Sequence, residues 1–191
     1  SVAAHDRSPA WSPDGTRIAW FSDDGGEYQL HVAPQDGKGE HKVYKAGGAG
    51  FYFDPTWSPD ASHVAYYDNS QSVYVIDLKT GVATKVGSNK VYTPLQLIST
   101  AWSPDSRWLA YTVNTHTLVT SLFAYNVADN KSTRVTDGLS AVRDPAFDKS
   151  GKYLYVVAST DAGPQLDWFA QSSTNLPISA SIYAIVLRRD L

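Results

Sequence analysis

The chain contains no cysteine. Disulfides, thiolate metal sites and a cysteine nucleophile are therefore excluded, and the redox environment is left open. No apolar run approaches the roughly 18 residues of a membrane-spanning helix, and the opening "SVAAHDRSPAW" has no hydrophobic leader core. The expected location is cytoplasmic. Basic residues are not in excess: 16 Lys and Arg stand against 19 Asp and Glu, for a net charge of -3. The basic stripe that a nucleic-acid binder presents to phosphates is missing. There is no G-x-S-x-G turn to expose a serine nucleophile, and no H-x-x-x-H pair. The acidic "SDDGGE" from Ser22 to Glu27 lacks the alternating ligand spacing of a calcium loop and reads as a hairpin tip. No metal or cofactor is expected.

What the chain does have is internal repetition. "AWSPDGTRIAW" from Ala10, "TWSPDASHVAY" from Thr56 and "AWSPDSRWLAY" from Ala101 are near copies, and "AFDKSGKYLYV" from Ala146 is a weaker one. The spacings are 46, 45 and 45 residues from Trp11 through Trp57 and Trp102 to Phe147, with 44 residues beyond. Four units fill the chain, at approximately 1–47, 48–92, 93–138 and 139–191. A period of about 40 to 50 residues signals propellers, solenoids or helical arrays, and local chemistry decides among them.

Each unit reads as strands. In "SPDG" (Ser12 to Gly15), Pro13 presets a type I turn and Gly15 accepts the left-handed conformation that closes it. Ala61 and Ser106 replace that glycine in the next two units, which predicts strain there. Beyond the turn, "TRIAWFSD", "SHVAYYD", "SRWLAYTV" and "KYLYVVAS" are aromatic and β-branched, the composition that suits a pleated sheet. They are apolar on both alternating faces, as strands covered from both sides must be. A third run comes next ("EYQLHVAP", "QSVYVIDL", "TSLFAYNVA", "SIYAIVLRR"), and then a shorter, more polar edge run in the first three units. Apolar spacing of three and four never persists for the ten or so residues that a helix requires. The reading is all-β: β-propeller blades, four repeats of a four-stranded antiparallel meander, a partial propeller with its last blade incomplete.

The segments "DRSPAWSPDGTRIAWFSDDGGEYQLHVAPQDG", "FDPTWSPDASHVAYYD", "STAWSPDSRWLAYT", "VTDGLSAVRDPAFDKSGKYLYVVASTDAGP" and "SIYAIVLRRDL" resemble the propeller of tricorn-type serine peptidases. The Trp-Ser-Pro-Asp turn is shared with TolB and other propellers, whereas the last two segments are more specific to the tricorn group. The resemblance spans essentially the whole chain. It implies a large multidomain enzyme that degrades short peptides, in which propellers precede a catalytic part. It also implies a seven-bladed ring whose chain continues past the "VLRRDL" position. This chain itself then carries no catalytic residue and acts as scaffold and substrate gate. The alternative is a TolB-like module for protein–protein interaction. Expected partners are peptides or a protein, together with the remaining blades and catalytic domain of the parent. A second copy of the chain, giving a homo-oligomer, is the other way to cover bare blade faces.

Individual residues take their expected places from the repeat. His5, His31, His41, His63 and His116 fall at different points in it, so repetition presents no two together. Asp14, Asp60 and Asp105 are expected to accept hydrogen bonds from their own turns. Trp11, Trp57 and Trp102 are expected to pack between blades, with Trp20 and Trp108 likewise in the core. Trp168 and Phe169, in the long insertion from Asp161 to Ser179, have no counterpart in other units and are candidates for an interface. "HDRSP", "FDP" and "VRDP" place Asp6, Arg7, Asp54, Arg143 and Asp144 in equivalent loops just before the inner strands. There a mixed-charge rim could orient the charged ends of peptides.

Overall fold

The computed structural model describes residues 4–92, 98–116, 119–159 and 179–187. The candidates Trp168 and Phe169 lie outside them. Among the described residues the chain is all-β, and its strands form four antiparallel meanders in chain order. The first sheet holds β1 (Asp6–Trp11), β2 (Arg17–Ser22), β3 (Gln29–Pro34) and β4 (Lys42–Tyr44). The second holds β5 (Tyr52–Trp57), β6 (His63–Asp68), β7 (Ser72–Asp77) and β8 (Ala83–Ser88). The third holds β9 (Thr100–Trp102), β10 (Trp108–Asn114), β11 (Thr120–Asn126) and β12 (Lys131–Arg134). Three strands are described in the fourth: β13 (Ala141–Phe147), β14 (Tyr153–Ser159) and β15 (Ser181–Val186). The chain divides into two compact units, Ser1–Ser88 with the first two sheets and Asn89–Leu191 with the last two.

The repeated turn is a small hydrogen-bond machine. Ser12 N–H donates to the Arg17 carbonyl and Gly15 N–H to the Ser12 carbonyl, both at 2.9 Å. Asp14 Oδ1 accepts from the Ser12 hydroxyl at 2.6 Å, the Thr16 N–H at 3.0 Å and the Thr16 hydroxyl at 2.8 Å. Asp60 repeats this with Ser58 and Ser62, and Asp105 with Ser103 and the Arg107 N–H. The fourth unit interchanges the roles: Asp148 takes the serine position and accepts from the N–H groups of Tyr153 and Ser150 and from the Ser150 hydroxyl. The hydroxyl–carboxylate pair is kept although the letters are swapped. The missing glycines carry the expected strain, because Ala61 and Ser106 hold φ of 56° and 60° where Gly15 and Gly151 hold 69°.

In the first unit, Ala19, Phe21, Leu30 and Val32 of the first sheet pack on Trp57, Val64, Tyr66 and Ile76 of the second. Phe21 meets the Tyr52 and Tyr66 rings at 5.0 and 5.4 Å, and the Tyr66 hydroxyl accepts the Gly47 N–H at 2.9 Å. Arg17 clamps the two sheets: its guanidinium lies 4.9 Å over the Trp57 ring and donates to the Ala61 carbonyl at 2.8 Å. Trp57 Nε1–H donates to the Ala10 carbonyl at 3.1 Å. The second unit has its own core of Ala110, Leu122, Val142, Leu154, Val156 and Ala158.

Three tryptophans depart from the expectation. Trp57 and Trp102 are buried at 6 and 8% exposure, but Trp11, at the same repeat position, is 58% exposed. Trp11 shares with Ile18, Trp20 and Val43 the face of the first sheet turned away from the second, where strand alternation puts it. Trp20 is half-buried, not core. Trp108 is exposed because it stands at the first residue of β10, the place that Arg17 holds in β2.

Candidate functional site

The five charged candidates are not in loops. Asp6 and Arg7 lie in β1, Asp54 in β5, and Arg143 and Asp144 in β13. Each of these strands runs further back than the composition suggested, because it carries a bulge. Arg7 pairs with Phe21 and Ala10 with Ala19, so Ser8 and Pro9 together face one residue. The same slip occurs between Phe53 and Thr56 and between Arg143 and Ala146. Proline has no N–H to give a ladder, and a bulge is where a strand tolerates it. The residue before each proline is left-handed: Ser8 at 51°, Asp54 at 47° and Asp144 at 54°. Aspartate accepts that conformation better than most side chains do. Three inner strands thus spend backbone strain at one repeated point, which re-aims the residues on either side.

In the first unit, those residues build a cationic platform. The Arg7 guanidinium lies 3.9 Å from the Phe51 ring centre and 5.0 Å from that of Phe53. Phe53 stacks on Tyr67 at 5.2 Å, and Phe51 meets Tyr28 edge-on at 5.4 Å. The Tyr67 hydroxyl donates to Asp54 Oδ2 at 3.0 Å. Burial, and then the Asp54 carboxylate, push the Tyr67 phenol up, so it stays a donor. His5 Nδ1 and the Tyr28 hydroxyl are 2.5 Å apart at the platform's margin. The Arg7 side chain has no hydrogen bond or ion pair among the described residues, and its Nε is buried without a partner. Two aromatic faces hold the cation, at about 0.5–2 kcal/mol according to desolvation. Asp6 stands beside it: with Arg7, Pro9, Ile18 and Trp20 it lines an open depression of about 240 Å³.

The second unit is built differently at the same repeat position. Arg143 Nη1 donates to Asp144 Oδ2 at 2.7 Å, and the Ser99 hydroxyl reaches Asp144 Oδ1 at 3.3 Å. Both members of that pair are exposed, so it contributes little to stability. Arg143 is directly paired with its neighbour, while Arg7 makes no such pair among the described residues. Of the five candidates, the structure brings Asp6, Arg7 and Asp54 into one unit and Arg143 and Asp144 into the other.

Sequence reasoning missed the aromatic half of the platform. "FYFDP" alternates Phe51 and Phe53 around the buried Tyr52, and the β5–β6 register sets Phe53 opposite Tyr67. It also missed one histidine pair: His31 Nδ1 lies 2.9 Å from His41 Nε2. No cluster of three or more metal-ligating side chains occurs among the described residues. The Ser62 hydroxyl lies 2.7 Å from His63 Nδ1, but it is equally held at 2.7 Å by Asp60 in the turn, as a part of the hairpin.

Fold and repeat chemistry together define the class: these are β-propeller blades. The chain belongs to the family of the tricorn protease second beta propeller domain, whose model matches residues 1–191. It is similar to the crystal structure of the tricorn protease, with a TM-score of 0.74 and 18% identity over 96% of this chain. This chain spans only 18% of that one. It is also similar to a putative TolB from Agrobacterium tumefaciens (TM-score 0.58, 18% identity, 95% of this chain and 62% of the other). A third similarity is to the β-propeller domain of the Trilobed protease from Pyrococcus furiosus, a domain described as having an open velcro topology (TM-score 0.58, 15% identity, 95% and 54%). No curated protein matches in the sequence search.

Proposed function

We propose that the chain is a non-catalytic propeller module of a tricorn-like serine peptidase, serving as scaffold and as a gate that receives peptides whose hydrolysis is performed elsewhere in the parent protein. The family supports the first half of this reading. The observation that carries the second is Arg7: a guanidinium on two phenylalanine rings, with a buried donor and no ion-pair partner among the described residues. The buried Nε is out of a ligand's reach, but Arg7 as a whole is half-buried and lines the open depression, and there an arriving carboxylate meets the guanidinium. Carboxylates are what peptides bring, at their C-termini and on acidic side chains, and a guanidinium binds them in a two-pronged geometry that lysine cannot match. Asp54 and Asp6 flank the cation and give the mouth mixed charge, which favours orientation over indiscriminate retention of anions.

The test is charge reversal in the peptidase that contains this chain. Arg7→Glu is expected to lower kcat/KM for acidic peptides relative to neutral ones, and Arg143→Glu to do so less, because Arg143 is already paired with Asp144. Unchanged kinetics toward acidic peptides in both variants would remove the gating role.

A further inference from the structure

We propose that His31 and His41 form a two-imidazole site for a borderline divalent transition-metal ion, Cu(II) foremost, on the face of the first sheet turned away from the second. His31 sits in β3 opposite Val43 of the neighbouring strand, and His41 lies two residues before Val43, so both side chains emerge on one face. His31 Nδ1 and His41 Nε2 point at each other across 2.9 Å. Trp20 lies against both rings, with centroids 5.5 Å from His31 and 5.3 Å from His41, the latter stacked. His31 is 4% exposed, so its ring is fixed by packing before any ion arrives. His41 is exposed and leaves the remaining coordination positions open to water.

The spacing selects among metals. Two nitrogens bound at about 2.0–2.1 Å lie about 3.3 Å apart at tetrahedral angles and about 2.9 Å apart at the right angle of adjacent square-planar positions. The gap in the protein is 2.9 Å. The separation is that of adjacent positions in the tetragonal nitrogen sites that Cu(II) and Ni(II) favour, so these ions need only the exposed His41 ring to turn until both lone pairs meet at one point, whereas tetrahedral Zn(II) needs the pair to spread as well. Affinity order among divalent ions places Cu(II) first as well. Burial, and then the neighbouring His41, push the His31 imidazole down from its usual value, with Asp24 and Asp6 opposing, which favours the neutral form that a metal requires. The one proton shared between the two facing nitrogens moves to the far nitrogen of its own ring. Binding to the neutral pair therefore releases no net proton.

Cu(II), Ni(II) and Zn(II) salts are titrated into the protein, with tryptophan fluorescence and calorimetry as readouts. Cu(II) is expected to bind one equivalent and quench Trp20, with Ni(II) and Zn(II) weaker. His41→Gln, whose exposed position protects the fold, should weaken Cu(II) at least about tenfold, as should His31→Gln. Trp20→Phe should remove the quench while binding persists. A variant with His5, His63 and His116 all changed to Gln should bind as the parent does. Cu(II) binding that survives His41→Gln, or that is lost with the other three histidines, overturns the site. Zn(II) binding as tightly as Cu(II) overturns the geometric argument.

Discussion

Trp11 and Trp57 are the same letter at the same repeat position, and replacing each by alanine should have very different consequences. Trp11 is 58% exposed and Trp57 6%. The difference is about half of a tryptophan's surface, roughly 130 Å² if the whole is about 250 Å², worth about 3 kcal/mol at about 25 cal/mol per Å². Trp57 also donates a hydrogen bond to the Ala10 carbonyl and lies under Arg17, which adds about 1 kcal/mol or more. Trp57→Ala should therefore destabilise the first unit by about 4 kcal/mol more than Trp11→Ala. For a unit of this size each kcal/mol moves the midpoint by about 4–8 °C, so the two variants should melt at least about 15 °C apart. Far-UV circular dichroism reports the melting without depending on the tryptophan removed. Equal losses in the two variants would refute the assignment of Trp57, and not Trp11, to the blade–blade core.

Two further outcomes concern the turns and the loops. Asp14 and Asp148 are each lowered to about 2, chiefly by the hydroxyls of Ser12 and Ser150 respectively. Their contribution is complete above the unfolded carboxylate value of about 3.8 and is lost as the pH falls toward 2. Urea midpoints measured from pH 6 to 2 should fall more gently for Asp14→Asn and Asp148→Asn than for the parent, and identical slopes would contradict the turn network. Gly48 has φ of +114°, and a Cβ there would meet Asp68 Oδ2, the oxygen that accepts the Ala49 N–H at 3.0 Å. Gly48→Ala should destabilise by about 3 kcal/mol, combining backbone strain with a damaged hydrogen bond to the buried Asp68. Gly25→Ala, where nothing stands within 4 Å, should be silent in the same melt.

The sheets were legible because their signals are local. Turn residues stand at fixed offsets with period-two apolar runs on either side, so "WSPDG" and the aromatic run after it were enough to read the meander. Burial on a particular face was not legible, because it depends on which sheet stands opposite: Trp11 and Trp57 have nearly identical sequence neighbours and opposite exposures. The bulges hid for a different reason. Proline ordinarily marks the end of a strand, but at Pro9, Pro55 and Pro145 a left-handed predecessor lets the strand continue. The candidate site was half visible. Its charges could be read from "HDRSP" and "FDP", whereas the platform under Arg7 joins β1 to residues 51 and 53 of another blade. The His31–His41 pair requires the β3–β4 register, and a pair confined to one unit leaves no mark in the repeat.

The proposed reception of acidic peptides at Arg7, with hydrolysis left to other parts of the protein, can be tested on the chain itself. The most direct measurement is the fluorescence anisotropy of a labelled glutamate-rich peptide titrated with the chain, with mass analysis of the recovered peptide afterwards. The account predicts saturable binding, weakened at least about tenfold by Arg7→Ala through loss of a charge-assisted contact of about 1.5–3 kcal/mol, and a peptide recovered intact. Equal binding by parent and Arg7→Ala, or cleavage of the peptide by the chain alone, would contradict it.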